Sequence, residues 1–193
     1  MRRLKLGIDL DGVVSDFSGW YITHANIRYN LSMDPSKQTT WAYTSLGLTE
    51  EQDTEIWADI AAIHNFWFNR LGRLPGTDLL YDKQYQHDFI FITSRTPTDG
   101  LPVWRQSAWW LSEALRIKYP QVIVVEPASQ KVPIALALGL DAFCDDKPST
   151  VRQFKNAGIP VWARLQPYNS ADTDYPHVVD VNAFIEVVEK TLG

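Results

Sequence analysis

Three pairs of polar residues each stand directly after a short apolar segment of the sequence. The pairs are Asp9 with Asp11, Thr93 with Ser94, and Asp145 with Asp146. If the three segments lie side by side, four carboxylates share one site, and they cannot all stay ionised there unaided. A hard divalent cation resolves this conflict, and Mg²⁺ is the usual choice for oxygen ligands beside a phosphate. These residue types therefore predict a magnesium-assisted phosphate site, to which Lys131 adds a positive charge.

The segments that carry these pairs belong to an alternation of strand and helix patterns. Short apolar runs predict strands at 4–10, 87–93, 121–126, 141–145, 160–164 and 177–180. Helical patterns are found at 102–120, 129–139, 148–158 and 182–193. Strands that alternate with helices pair in parallel, so the predicted fold class is α/β, with a Rossmann-like doubly wound parallel sheet. Ligands of such sheets bind beyond the carboxyl ends of the strands, which is where the polar pairs stand.

A mostly helical insert at residues 16–76 interrupts this alternation. Two helical patterns flank a loop, and Pro75–Gly76 closes the region with a strong turn signal. Thr49 and Gln52 form a Thr-x-x-Gln capping box at the start of the second helix. Asp16 is interpreted as a charge at a helix N-terminus and not as part of the site. The predicted units are an α/β core of residues 1–15 and 77–193 and a helical cap of residues 16–76.

Composition narrows the class of function. The formal net charge of −5 argues against a stable nucleic-acid partner, because duplex binding needs a basic face. The one cysteine, Cys144, excludes an intramolecular disulfide and suits a reducing compartment. Asp9 and Asp11 interrupt the N-terminal apolar run too early for a signal peptide, and no apolar stretch is long enough to cross a membrane. We therefore expect a cytoplasmic protein without a membrane partner.

Four segments resemble, in order, the motifs of the haloacid dehalogenase-like phosphohydrolases. They are DLDGVVSDF, ITSR, Lys131 and CDDKPS. The resemblance implies that Asp9 is the nucleophile that becomes an aspartyl-phosphate. It further implies that Asp11 protonates the leaving oxygen and then activates water. Thr93 would donate a hydrogen bond to the phosphoryl group, with Ser94 beside it, and Lys131 would offset negative charge.

The same resemblance implies a Mg²⁺ site. Its ligands would be Asp9, Asp145, the main-chain carbonyl of Asp11, and Asp146 directly or through water. Each feature alone has a simpler explanation, since Asp-Gly is often only a turn, paired aspartates cap helices, and a single lysine is usually solvated. Their joint order along the chain favours the functional interpretation. Because the second aspartate is present at Asp11, a phosphatase is favoured over a dehalogenase.

The aromatic residues of the insert suggest the substrate. DLDGVVSDF, FWFNRLGRLPG and CDDKPS resemble the 5′(3′)-deoxyribonucleotidase branch of the family. By that resemblance Phe17 and Trp67 would flank the base of a nucleoside monophosphate, and the FWF run would contribute to the same contact. Ser94 and Arg95 are assigned to substrate binding, although Arg95 stands where that branch commonly has Pro. The alternative is that most of these rings pack the cap's own core.

Four functions are therefore compared. The leading one is a Mg²⁺-dependent phosphomonoesterase that hydrolyses nucleoside 5′-monophosphates, with deoxyribonucleotides among the substrates. The second is a phosphatase of another small ester such as a sugar phosphate, and the third removes phosphate from nucleic-acid ends. The fourth is a non-catalytic binding protein with a remnant site. The expected partner is a small-molecule phosphate ester, and a homodimer is left open.

Overall fold

The structure, a computed structural model, describes residues 2–193. Its strands are β1 (Lys5–Ile8), β2 (Asp88–Thr93), β3 (Gln121–Val124), β4 (Ala142–Asp145), β5 (Val161–Arg164) and β6 (His177–Val178). Its α-helices are α1 (Phe17–Tyr29), α2 (Glu50–Ala62), α3 (Phe66–Asn69), α4 (Leu79–Lys83), α5 (Val103–Leu115), α6 (Lys131–Leu138), α7 (Pro148–Asn156) and α8 (Val181–Leu192). The six strands form one all-parallel sheet in the order β3-β2-β1-β4-β5-β6, which confirms the predicted fold class.

The first strand lies at the centre of this sheet, between β2 and β4. Ile8 pairs with Phe91 of β2 on one side and with Cys144 of β4 on the other. Leu6 and Ile8 have no exposed surface, as expected for a parallel strand that is covered on both faces. Because neighbouring parallel strands end at the same edge, the polar pairs that follow β1, β2 and β4 meet there.

The insert between β1 and β2 begins with the local structure that the sequence predicts. The Asp16 carboxylate accepts the Gly19 N–H at 2.9 Å and so caps α1, which confirms its interpretation as a helix-terminal charge. At the start of α2 the Thr49 hydroxyl accepts the Gln52 N–H at 3.2 Å. The Gln52 side chain accepts the Thr49 N–H at 3.0 Å in return, so the capping box is confirmed. The division into a core and a cap at 16–76 stays a prediction.

Several elements differ from the sequence-based prediction. Helix α5 ends at Leu115 and not near Pro120, because Arg116 adopts a left-handed conformation with φ 56°. The loop between α1 and α2 contains two short 3₁₀ helices, Pro35–Lys37 and Tyr43–Leu46. Helices α3 and α4 were not predicted. Across residues 2–193, none of the helices combines the length and the apolar character needed to cross a membrane.

Candidate active site

The residues that follow β1 and β4 are joined by a lysine from a third element. Lys131 is the first residue of α6, and its ammonium lies 2.8 Å from Asp9 Oδ2 and 2.8 Å from Asp145 Oδ2. The other oxygen of Asp9 accepts the Leu10 N–H at 2.8 Å. The side chains of Asp9, Asp145 and Lys131 are all buried, so each carboxylate is held by fixed donors with little access to bulk water.

Asp146 completes a cluster of three buried carboxylates with Asp9 and Asp145. One oxygen of each lies within 4.8 Å of the others, a spacing that suits a single cation. Burial, together with the charges of Asp145 and Asp11, raises the pKa of Asp9 to about 7, although Lys131 opposes the shift. Burial, together with the charges of Asp145 and Asp9, raises the pKa of Asp146 well above its ordinary range. If all three carboxylates were ionised, Lys131 alone would not balance their charge.

The position of Asp146 depends on contacts from two other segments. Its carboxylate accepts a hydrogen bond from the Tyr168 hydroxyl, and its main-chain oxygen accepts Asn169 Nδ2 at 2.9 Å. Gly12 leaves room on the opposite side. A Cβ there would stand 2.1 Å from Asp146 Oδ2, and the Gly12 φ of +75° is itself unfavourable for other residues.

Asp11 is held by Arg95 and not by the acidic cluster. Arg95 Nε donates to Asp11 Oδ2 at 2.8 Å and Nη2 donates to Oδ1 at 2.8 Å, while the Ser15 hydroxyl donates to Oδ1 at 2.8 Å. Arg95 Nη1 also donates to Ser107 at 2.8 Å. The Arg95 side chain is fully buried and does not itself line the cavity, although it contacts Asp11, which does. Its expected role in substrate binding stays a prediction.

A cavity of about 210 Å³ opens from the acidic cluster toward the insert. Thr93 and Ser94 line it at the end of β2, next to Asp9, Asp11 and Lys131. Its aromatic residues from the insert are Phe17, Trp41, Tyr43, Trp57 and Trp67, and Tyr168 lines it from outside the insert. Its other insert residues with polar side chains are Ser18, Gln38, Thr44 and Asp53. Acidic residues with a lysine and flat rings in one cavity would suit a phosphate ester with an aromatic group.

The two rings expected to flank a base are in contact with each other. The centroids of Phe17 and Trp67 are 5.6 Å apart with an interplanar angle of 33°. A base between two rings needs about 7 Å, twice an ordinary carbon–carbon contact of about 3.5 Å. Phe17 and Trp67 therefore line one wall and do not form opposite walls in this conformation. Phe17 also packs on Trp57, with centroids 5.5 Å apart.

The remaining rings of the FWF run do not reach the cavity. Phe66 is fully buried and packs edge-on against Trp20, with centroids 4.6 Å apart. Phe68 packs against Trp109 of α5, with centroids 5.7 Å apart. Only Trp67, the middle ring of the run, lines the cavity, and contact of the run with substrate stays a prediction. Helical geometry explains this, because successive residues of α3 point in different directions.

Among the cavity residues that sequence reasoning missed are Gln38, Lys147 and Tyr168. Tyr168 follows β5, and the rule that ligands bind beyond strand ends could have indicated it. Lys147 lies inside the CDDKPS segment and places its ammonium 3.8 Å from the centroid of the Trp41 ring. Gln38 belongs to a loop without a recognisable motif, so no signal pointed to it.

The parallel fold and the lysine-balanced acidic site define a haloacid dehalogenase-like hydrolase. Solved structures share this fold along nearly the whole chain. A haloacid dehalogenase-like protein of unknown function from Agrobacterium tumefaciens matches with a TM-score of 0.66 at 10% identity, and the alignment covers 100% of both chains. A candidate phosphoglycolate phosphatase from Lactobacillus plantarum matches with a TM-score of 0.61 at 15% identity, covering 97% of this chain and 100% of the other.

The family is shown by sequence. Residues 2–187 match the family described as 5′ nucleotidase, deoxy (Pyrimidine), cytosolic type C, and the chain belongs to this family. A protein of Oceanobacillus iheyensis, named as a candidate nucleotidase, is 19% identical over 189 residues, or 95% of this chain and 98% of that protein. The chain is therefore a phosphoric monoester hydrolase of the nucleotidase type, and the predicted superfamily and enzyme class are confirmed.

Proposed function

We propose that this enzyme hydrolyses nucleoside 5′-monophosphates, deoxyribonucleotides among them, through an aspartyl-phosphate on Asp9. The observation that carries the proposal is the continuity of two chemistries in one cavity. Asp9, Asp11 and Lys131 line this cavity together with Trp41 and Trp57. A nucleotide would place its phosphate ester at the acidic residues and its flat base against the rings.

At the phosphate end, the chain's own groups orient the nucleophile. The Leu10 N–H and the Lys131 ammonium hold the two oxygens of Asp9, which fixes the plane of the carboxylate before substrate binds. Such positioning, with charge stabilisation, accounts for most of the work in phosphoryl transfer. Lys131 would stay close to the phosphoryl oxygens, and the Thr93 hydroxyl would donate to one of them.

The donor set at the cluster fits Mg²⁺, which prefers oxygen ligands and few of them from protein. Asp9, Asp145 and Asp146 would hold the ion, with the main-chain carbonyl of Asp11. When bound, Mg²⁺ would supply the positive charge that the buried cluster lacks and would neutralise the incoming phosphate. Added positive charge favours the ionised form of Asp9, which the reaction needs because only a carboxylate attacks phosphorus.

At the other end, the cavity offers both ring faces and hydrogen-bond acceptors. Stacking a base on an aromatic side chain is worth about 1–3 kcal/mol. One oxygen of Asp53 accepts the Tyr21 hydroxyl, and the second remains for an N–H of a base. The buried Gln38 donates its amide to the Trp41 carbonyl at 3.2 Å, which leaves its own oxygen for another such contact. The family is described as acting on deoxy and pyrimidine nucleotides and as cytosolic, which supports a small nucleotide substrate in a cytosolic enzyme.

A panel of phosphate esters tests the proposal. Phosphate release would be measured with Mg²⁺ for ribo- and deoxyribonucleoside 5′-monophosphates, sugar phosphates, phosphoglycolate and a 5′-phosphorylated oligonucleotide. We expect the highest kcat/KM for a nucleoside monophosphate. A sugar phosphate that is turned over equally well or better would refute the nucleotide assignment, and preference for the oligonucleotide with a steep salt dependence would favour end trimming.

The covalent intermediate has a separate test. Acid-quenched enzyme should carry one phosphoryl group on the peptide that contains Asp9, detected by mass spectrometry. Asp9→Asn keeps the side-chain shape and removes the nucleophile, so it should abolish both turnover and labelling. Asp16→Asn is the matched control, because that carboxylate only caps α1. Labelling at another residue, or turnover retained in Asp9→Asn, would contradict the mechanism.

A further inference from the structure

The Arg95 guanidinium is fixed by hydrogen bonds along its edge and by a contact on one of its faces. Its guanidinium uses Nε and Nη2 on the two oxygens of Asp11, and Nη1 on the Ser107 hydroxyl. Nη2 also donates to the Ser15 hydroxyl at 3.1 Å. One face of the guanidinium lies over the Trp67 ring, 4.7 Å from its centroid. A planar guanidinium held this way has one orientation, and a lysine ammonium could not reproduce its bidentate contact with Asp11.

The two oxygens of Asp11 have different surroundings as a result. Oδ1 accepts two hydrogen bonds, from Ser15 and from Arg95 Nη2, whereas Oδ2 accepts one, from Arg95 Nε. Asp11 lines the cavity, and its side chain is 21% exposed. A protonated carboxyl oxygen still keeps a lone pair. Oδ2 is therefore the oxygen that can carry a proton while it still accepts the Nε–H.

We infer that Arg95 is the positioning residue for Asp11 and that its bidentate contact presents Oδ2 of Asp11 to the leaving oxygen of the ester. The inference rests on the proposed mechanism, in which Asp11 is the acid and base, but it does not depend on which ester is the substrate. It also gives Arg95 a role different from the substrate contact that its place after Thr93 and Ser94 suggested.

The chemistry that Arg95 supports has two steps. In the first, an Asp9 oxygen bonds to phosphorus, the phosphorus–oxygen bond to the alcohol breaks, and the leaving oxygen takes the proton of Asp11. In the second step, water gives a proton to Asp11, the oxygen of that water bonds to phosphorus, and the bond between phosphorus and Asp9 breaks. The sum is ester and water going to alcohol and phosphate. Only proton transfer by Asp11 depends on Arg95, so esters with poor leaving groups need Arg95 most.

Esters of different leaving-group ability test the inference. The assay compares kcat/KM for benzyl phosphate with kcat/KM for p-nitrophenyl phosphate. Benzyl alcohol is a poor leaving group that needs a proton, whereas p-nitrophenolate leaves without protonation. General acid catalysis contributes about 10²- to 10⁴-fold. Arg95→Gln should therefore lower the benzyl-to-nitrophenyl ratio at least about 30-fold, and Asp11→Asn should lower it as much or more. Arg105→Gln is the matched control, because Arg105 also stacks on a tryptophan, Trp109, but is exposed.

The double variant decides whether Arg95 acts through Asp11. Adding Arg95→Gln to Asp11→Asn should change the ratio less than about threefold, since residues that act as a unit are not additive. An equal loss on both esters in Arg95→Gln, or additive losses in the double variant, would overturn the inference. If Arg95→Gln does not fold, Arg95→Lys decides, and a wild-type ratio there would overturn it. A wild-type ratio in Asp11→Asn would instead contradict the proposed acid and so the mechanism itself.

Discussion

The buried carboxylate of Asp9 makes the stability of the metal-free enzyme depend on pH in an unusual direction. Burial raises the pKa of Asp9 from 3.8 to about 7. A carboxyl group with a raised pKa binds its proton more tightly in the folded state, so it stabilises the fold at low pH. That contribution is complete below the unfolded value and is lost as the pH rises through about 7.

The magnitude follows from the two pKa values. The full shift of roughly three units corresponds to about 4 kcal/mol, at 1.36 kcal/mol for each unit. Between pH 5 and pH 8, which avoids acid unfolding, linkage leaves about 3 kcal/mol of this. Titrating groups far from Asp9 act equally in wild type and in Asp9→Asn. The difference between the two proteins should therefore change by about 3 kcal/mol over that range, with wild type losing stability as the pH rises.

Urea unfolding at several pH values measures this difference. Wild type and Asp9→Asn would be compared in EDTA and again with excess Mg²⁺. The cation favours ionised Asp9, so the pH dependence in wild type should shrink when Mg²⁺ is added. Parallel stability curves for the two proteins in EDTA would refute the reasoning, and so would a wild-type protein that gains stability relative to the variant as the pH rises.

Two further predictions concern the cation and the cavity. Gly12→Ala should raise the Mg²⁺ concentration for half-maximal activity about tenfold or more, because its Cβ would displace the Asp146 carboxylate, 2.1 Å away. Gly47→Ala is the control, since Gly47 also has a positive φ of +95° but its Cβ would meet no atom of residues 2–193 within 4 Å. An equal change in the Mg²⁺ requirement in both variants would show that the contact with Asp146 is not the cause. Trp57→Ala should lower kcat/KM for nucleotides about 5- to 100-fold and spare p-nitrophenyl phosphate, if a base stacks there. Trp109→Ala, on α5 outside the cavity, should lower neither, and an equal loss on both esters in Trp57→Ala would indicate a packing role only.

The part of the site that follows strands could be predicted because the signal is local. An apolar run followed by Asp9 or Asp145 indicates a buried strand and its carboxyl end, and the strand-end rule then places both acids at one edge. The capping box at Thr49 and Gln52 was predictable for the same reason, since its partners are three residues apart. Lys131 could be assigned to the site only from the order of the four family motifs, because a single lysine in a sequence does not indicate where it lies in the fold.

The contacts of Arg95, the packing of Phe17 against Trp67 and the place of Tyr168 in the cavity could be found only from the folded chain. Arg95 is 84 residues from Asp11, and no local pattern predicts that it turns toward that carboxylate and away from the cavity. Whether Phe17 and Trp67 stand apart or touch depends on how α1 and α3 pack, and the sequence is the same in either arrangement.

The amino-acid sequence by itself determined the alternating elements, the acidic strand ends and the family. Hydrophobic periodicity and turn chemistry act between neighbours, so they can be read along the chain. Only the tertiary structure decided which cation meets which carboxylate and which rings share a wall. Those contacts join residues far apart in the chain, and they form only when the strands and helices pack in one arrangement. Lys131 therefore balances Asp9 and Asp145, while Arg95 is committed to Asp11.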